Sequence, residues 1–529
     1  MRMAVVGGGP GGLFASTLAK AGDPRRHVTV FERNRAEDTF GFGVVFSDAT
    51  LEGIHAADPV LRSALAEHGV HWDPIEVRLR GERFLCHGNG MAAVERRTLL
   101  RLMQERAVEA GVEVRFSTEV DPEGLLAAGY DLVVAADGAN SQLRDRFADA
   151  FSPATETATA KFIWLGTTYP FTSLTFVHER GPHGVFAVHG YPIGSGVSTF
   201  IVETDEQSWR AAGLDEFDVT QPPGPSDERS RAYLQELFAE QIGGHPLLVN
   251  NSRWGNFRTR RVQRWRHRVG DTAIALLGDA AHTAHFSVGS GTKMAMEDAA
   301  ALVAALDEHP DDVDAALAAY ETVRQPQVAK IQSSARPSLS WWEHFGRSHD
   351  SLPPWQFAYH FFTRSLPESK LRRRDDGFVT AVHGRWWQAH GAEPLDSPIE
   401  VAGRRRTGRS VVVSDGTAHL PGGPLPLLPR AAGDDRAWAL AVGAPDTEEG
   451  LPAALEVLAK GVAAGAALVA VSGGTPLTRR LLCEAARLEH GAVSLLIEEV
   501  DHGRAEDVAV TAVLSGRTDL VGVPVKVAP

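Results

Sequence analysis

Apolar positions along this chain follow two rhythms. Near the N-terminus a short continuous run, Met3 to Val6, gives way to glycines and then to an amphipathic stretch reaching Gly22, which predicts a buried strand, a turn and a helix. "HVTVFER" (27–33) predicts the next strand, and "YDLVVAADGANSQLRDRF" (130–147) and "DTAIALLGDAAH" (271–282) each predict a buried strand running into an acid-bearing turn and a helix start. Between the last two the rhythm changes. "KFIWLGTTYPFTSLTFVHERGPHGVFAVHGYPIGSGVSTFIVET" (161–204) alternates β-formers with turn residues and predicts several antiparallel strands. Mixed-charge helices follow, and "VQRWRHRVG" (262–270) returns the chain to the first pattern. The predicted fold class is α/β: a Rossmann-like domain interrupted by a β-sheet domain, with a small α/β domain after about Asp396.

Composition narrows the classes. A chain of 529 residues predicts two to four domains. A hydrophobic content of 43% with 23% charged residues is that of an ordinary globular protein, and a net charge of −14 argues against nucleic acid as a general partner. Cys86 and Cys483 make neither a disulfide framework nor a Cys-rich metal site. No apolar run reaches the roughly 18 residues of a membrane span, and the N-terminus lacks a signal-peptide layout. The expectation is a cytoplasmic protein with no membrane contact and no metal.

Gly7, Gly9 and Gly12 match G-x-G-x-x-G. The first glycine permits the tight turn, the second lets a pyrophosphate approach the backbone, and the third lets helix and strand pack closely. The phosphates would sit on the unpaired N–H groups of the helix N-terminus. Glu32, followed by Arg33, closes the second strand where ribose hydroxyls would need an acceptor. A simple NAD site has no use for two further acid-bearing turns, Asp137–Gly138 and Gly278–Asp279. FAD has, because its ribityl chain and ring extend beyond the pyrophosphate and need hydrogen-bond partners of their own.

These three stretches resemble the GxGxxG, DG and GD motifs of the single-component FAD-dependent aromatic hydroxylases, the para-hydroxybenzoate hydroxylase type, over about 390 residues. The resemblance implies that Asp279 meets the ribityl chain and that the glycine turn "VGSGTK", with Gly289, Gly291, Thr292 and Lys293, caps the flavin ring. "ERRTLLRLMQERA" resembles the family's R-x-x-L segment and brings Arg96 near the ribityl or adenosine part; in isolation Arg96 reads as a solvated helix charge. Lys293 could favour anionic reduced flavin or could equally be solvated. Most family members carry proline between the aspartate and the glycine turn, and a G-Q-G-x-N turn; "HTAHFSVGSGTK" has neither. Both departures resemble the aryl-coenzyme A branch, which acts on salicylyl-CoA and 2-aminobenzoyl-CoA, as do "DTFGFGVVFSD", "RPSLSWWEHFGR" and "FTRSLPESKLRRRD".

That branch implies an NAD(P)H- and O2-dependent monooxygenase that hydroxylates an aromatic acyl-CoA through a flavin C4a-hydroperoxide, salicylyl-CoA to gentisyl-CoA being the expected reaction. NAD(P)H would visit transiently, since no second GxGxxG unit is present. His285 and Phe286 would border the flavin and the substrate ring. His285 either packs as a hydrogen-bonded core histidine or positions the phenolic group; Phe286 reads as pocket wall. A hydroxylase of a free aromatic or indolic compound and a non-catalytic flavin-binding protein are the competing expectations. Arginines at 258, 260, 261, 264, 266, 268 and 372–374 are candidates for the phosphates of CoA, with ion pairing to the many acids as the alternative.

The tail resembles the old yellow enzyme family: "SPIEVAGRRRTGRSVVVSDGTA", "AGAALVAVSGGTP" and "AVLSGRTDLVGVP" are similar to strands of that FMN-binding barrel. Only about 130 residues remain, against roughly 250 for eight strands. "VVVSPM" has become "VVVSDG", so a truncated barrel serving packing or homodimerisation, without FMN, is expected. The expected boundaries are 1–75, 92–160 and 265–345 for FAD binding, 76–91 and 161–264 for the substrate sheet, 346–395 for a helical segment and 396–529 for the tail.

Overall fold

In the computed structural model, residues 1–39, 41–219, 224–289, 291–414, 416–420, 423–427, 438–498 and 502–524 are described. Three residues quoted above, Phe40, Ser290 and Asp415, lie outside them. The chain forms two compact units: residues 1–78 with 89–343, and residues 79–88 with 344–529.

The first unit begins as its apolar rhythm predicts. Strand Arg2–Val6 is buried along Met3, Ala4 and Val5, and helix Pro10–Gly22 starts with proline in its first turn, where the missing N–H costs nothing. A six-stranded sheet has the order 266–269, 272–276, 132–135, 2–6, 27–31, 113–115. All neighbours run parallel except the hairpin that joins Arg266–Val269 to Thr272–Leu276. The parallel strands are continuous apolar runs because both faces are covered. Three predicted motifs therefore end side by side at one edge: Val6 pairs with Phe31 and Ala135, and Ala135 pairs with Leu276.

The interrupting segment folds into a larger antiparallel sheet. Strand Pro153–Thr167 pairs with Gly255–Val262 and then with Val197–Thr204, which is followed by Gly184–Gly194, Leu174–Gly181 and Ile75–Leu79. Alternation gives the sheet two characters. Ile163, Leu165, Val177, Phe186, Val188, Phe200 and Val202 form an apolar core with Leu234, Phe238 and Ile242. The opposite positions, Phe162, Trp164, Phe176, His178, His189, Tyr191 and Glu203, carry aromatic, histidine and acidic side chains, with Ile201 among them. A small sheet of Gly43–Ser47, Met91–Glu95 and Val70–Trp72 delivers the chain to helix Arg96–Glu109.

The second unit holds a seven-stranded sheet ordered 423–426, 417–420, 410–414, 520–524, 494–497, 468–472, 439–443. The last five are parallel, and helices Leu451–Ala463, Pro476–Glu484 and His502–Leu514 link successive strands. From Ala439–Gly443 to Leu520–Pro524 each parallel strand lies beside its sequence neighbour, and Leu520–Pro524 returns next to Ser410–Ser414. That is the winding of consecutive barrel strands, left open here at both edges among the described residues. Old yellow enzyme ancestry for this unit remains a proposal, which the winding supports.

Candidate active site

The nucleotide end is built by three glycines with different surroundings. A Cβ on Gly12 would lie 2.1 Å from the carbonyl oxygen of Gly7, and one on Gly7 would lie 2.2 Å from that of Ala136. A Cβ on Gly9 would meet nothing within 4 Å, so its open side is the space a pyrophosphate needs at the start of helix Pro10–Gly22. Glu32 is held beside this turn: its carboxylate accepts from the N–H of Gly8 at 2.7 Å and from the N–H and side chain of Asn34 at 2.8 Å. A cavity here is lined by Gly7, Gly9, Glu32, Arg33, Asp137 and Gln142. Asp137 accepts from the Gln142 N–H at 2.9 Å, while its second carboxylate oxygen is buried without a hydrogen-bond partner. Burial pushes its pKa up.

Further along, Gly278 turns the chain at φ +62°, a conformation that favours glycine. Asp298, from helix Gly291–Glu308, braces this turn. Its Oδ2 accepts from the Gly278 N–H at 3.1 Å and sits 2.6 Å from His282 Nε2, and its Oδ1 accepts from Arg324 at 2.8 Å. Burial would raise the Asp298 pKa, and His282 and Arg324 outweigh it, leaving the group ionised below the usual carboxylate range. Asp279 differs. It lies deep among protein atoms yet presents surface to a water-sized space, and no hydrogen bond of its side chain is formed among the described residues. Burial raises its pKa, against His282, Arg96 and Arg260. Arg96 faces the same space, its pKa lowered by burial and raised in part by Asp279, and its guanidinium has no hydrogen-bond or ion-pair partner among the described residues.

An open glycine cradle, a ribose-side carboxylate, and two charges, Asp279 and Arg96, whose side chains hold no hydrogen bond among the described residues fit FAD. Gly9 and Glu32 would hold the adenosine diphosphate portion, and Asp279 with Arg96 the ribityl end. The glycine turn fits too: Gly289 has φ +61°, and a Cβ on Gly289 or Gly291 would meet nothing within 4 Å. Thr292 is half-buried in the first turn of the helix that starts at Gly291. Lys293 is paired with Glu297 at 2.8 Å, and Glu297 also binds Arg324, so its charge is shared within its own helix surface.

His285 and Phe286 lie against the polar–aromatic face of the antiparallel sheet. Phe286 contacts Phe162, Trp164, His189 and Phe257, with ring centroids 5.0–6.2 Å apart. His285 is 2% exposed. Its Nδ1 is 2.7 Å from Ser287 Oγ, and its Nε2 is 3.4 Å from Glu203 Oε2. Glu203 Oε1 in turn lies 2.7 Å from His189 Nε2, off the line of a good hydrogen bond. Burial pushes the Glu203 pKa up, and His285 and His189 outweigh it, so the carboxyl titrates below its ordinary value. Sequence reasoning missed Glu203, His189 and Tyr191. The signal was present in the alternation of "VFAVHGY" and "STFIVET", which sets these residues on one face, but which face meets the flavin domain is not a local property.

The arginine run does not form one phosphate patch. Arg261, Arg266 and Arg268 pair with Glu156, Glu321 and Asp314, and Arg372 with Glu368 and Asp376. Arg260 is 6% exposed, and Arg258 on the same strand points to solvent. Among the described residues no cluster of three or more His, Cys, Asp or Glu could hold a metal, and no helix is long and apolar enough to cross a membrane.

The family described as FAD binding domain matches residues 1–335. A salicyloyl-CoA 5-hydroxylase from a Streptomyces species is 56% identical over 99% of both chains. The 3-hydroxy-4-methyl-anthranilyl-[aryl-carrier protein] 5-monooxygenase of Streptosporangium sibiricum is 37% identical over 64% of this chain and 89% of its own. Among solved structures, a 2-methyl-3-hydroxypyridine-5-carboxylic acid oxygenase variant superposes with a TM-score of 0.51 at 20% identity, covering 65% of this chain and 93% of its own, which shows the shared fold. With the three motifs aligned at one sheet edge and the family matched over residues 1–335, the chain belongs to the FAD-binding domain family of flavin-dependent monooxygenases.

Proposed function

We propose that this monooxygenase hydroxylates salicyloyl-CoA at position 5, para to the phenol, giving gentisyl-CoA. The observation that carries the reading is the 56% identity, along essentially the whole chain, to a salicyloyl-CoA 5-hydroxylase. The pocket chemistry supports it. Phe162, Trp164, Phe257 and Phe286 offer an aromatic wall, and the buried His189–Glu203–His285 group offers a polar end suited to a phenol. A phenolic oxygen activates the carbon para to itself, where the thioester does not crowd the incoming oxygen.

When bound, FAD supplies reduction by NAD(P)H and oxygen transfer from O2. The chain's own residues orient the ring, exclude water with the aromatic wall and hold the phenolic proton. Thioester binding remote from the ring can lower the barrier as well as tighten binding. Arg261, Arg266, Arg268 and Arg372 are ion-paired, which leaves the exposed Arg258 and Arg264 of the same run as candidates for the CoA phosphates. We further infer cytoplasmic residence, since both cysteines are free and buried. The test is turnover of salicyloyl-CoA against free salicylate, following NAD(P)H oxidation, O2 uptake and product mass together. Gentisyl-CoA from the thioester alone is expected. Equal product from free salicylate, or none from any aryl-CoA, would overturn the reading.

A further inference from the structure

His285 has both ring nitrogens engaged, and its contacts identify its tautomer. The backbone N–H of Ser287 donates to Nδ1 at 3.3 Å, so Nδ1 carries a lone pair and the ring proton sits on Nε2, facing Glu203. Ser287 Oγ, 2.7 Å from the same Nδ1, is 2.9 Å from Ser338 Oγ. Glu203 lies between two imidazoles, 2.7 Å from His189 Nε2 and 3.4 Å from His285 Nε2. Five side chains thus form one file: Ser338, Ser287, His285, Glu203, His189. Four are at least 97% buried, and Ser287 alone keeps accessible surface. It sits in the short turn Phe286–Val288, next to the aromatic wall.

We propose that Ser287, His285 and Glu203 form a proton relay for the phenolic oxygen of the substrate, with Ser287 Oγ as the group that meets the phenol and Glu203 as a positioning residue. The inference rests on the phenolic substrate proposed above. As the phenol O–H bond breaks, its proton goes to Ser287 Oγ while the Ser287 proton forms a new N–H bond at His285 Nδ1. The products are a phenolate and an imidazolium whose Nε2–H faces the Glu203 carboxylate; no electrons leave the set. Phenolate feeds the ring more strongly than phenol, which is what an electrophilic oxygen requires. A histidine that merely caps the Phe286–Val288 turn would need Ser287 but not a buried carboxylate on its far side.

The test uses FAD-loaded Ser287→Ala, Glu203→Gln and Glu203→Asp. Retained FAD absorbance and melting temperature are expected for Ser287→Ala. Hydroxylated product per reductant should fall by about a hundredfold near neutral pH in Ser287→Ala and Glu203→Gln. The loss should shrink as pH rises, when solution takes the proton, and Glu203→Asp should restore part of it. The Ser287→Ala/Glu203→Gln double variant should be no worse than the poorer single one, as for members of one path. Loss that is independent of pH, or unchanged coupling in both variants, would overturn the relay. If Glu203→Gln does not fold, Ser287→Ala alone decides. If the wild type turns over no aryl-CoA, the functional reading fails, and the relay is then read from bound 4-nitrophenol, whose ionised form absorbs in the visible. The wild type should hold it as phenolate at lower pH than Ser287→Ala does; identical ionisation curves would overturn the relay.

Discussion

Gly9 and Gly12 belong to one motif and face opposite consequences on gaining a methyl group. Gly12→Ala would drive Cβ into the Gly7 carbonyl at 2.1 Å, so strand and helix must separate. We expect a loss of about 1–3 kcal/mol in fold stability, as for overpacked cores, along with loss of FAD. Gly9 has φ −77° and ψ 176°, open to any residue, and its Cβ would enter empty space. Gly9→Ala should therefore leave apoprotein melting unchanged while weakening FAD at least tenfold, measured by quenching of flavin fluorescence. A matched fall in melting temperature for Gly9→Ala would refute the cradle assignment. The glycine spacing was legible in the sequence because each requirement is local. What crowds Gly7 was not, since Ala136 follows a strand more than 100 residues away.

At the scale of elements, the turn after Thr272–Leu276 is aimed by a neighbouring helix. Asp298 ties the Gly278 N–H, His282 and Arg324 together at 2.6–3.1 Å. Removing Asp298 leaves Arg324 with Glu297 alone and takes the buried acceptor from the Gly278 N–H and His282, so Asp298→Ala should cost about 3 kcal/mol by denaturant titration. FAD should also weaken beyond that stability loss, because Asp279 follows the braced glycine. Asp279→Ala should do the reverse: its carboxylate holds no hydrogen bond among the described residues, so the apoprotein should melt no lower while FAD affinity falls by about 1.5–3 kcal/mol. A large melting loss for Asp279→Ala with normal FAD affinity would mean that it serves the fold. The strand–acid–helix pattern announced Asp279. Nothing local announced Asp298, which reads as one more helix acid until the helix is laid against the turn.

For the molecule as a whole, the two units should part company in acid. In the second unit His360 is 1% exposed, and burial together with Arg517 depresses its pKa to about 3. The unfolded chain takes up that proton near 6.5 and the folded unit does not, so stability falls from about pH 6.5 toward 3. Glu484 works in a lower window. Burial pushes it up, but Arg347 and Arg517 prevail and hold it at about 2, so its contribution disappears as pH drops from about 4.5 to 2. Each amounts to about 3–5 kcal/mol at full effect. Circular dichroism against pH should show the second unit melting first below pH 6, and His360→Gln should flatten the upper limb. A single transition insensitive to that substitution would refute this account.

The sequence alone determined the nucleotide-binding half: strand, glycine turn, helix and terminal acid are set within some thirty residues by backbone chirality, side-chain periodicity and the donors of a helix start. It also determined that an alternating sheet interrupts that half. The tertiary structure alone decided what the sheet does. Glu203 reaches His189 through the pairing of Gly184–Gly194 with Val197–Thr204, and reaches His285 across some eighty residues of chain. Register and face selection depend on the summed burial of a whole sheet against its neighbours, so no short window contains them. The arginines follow the same logic: as a run they resembled a phosphate patch, but folding supplied Glu156, Glu321 and Asp314 from distant elements, and a charge paired in that way no longer reads as a binding site.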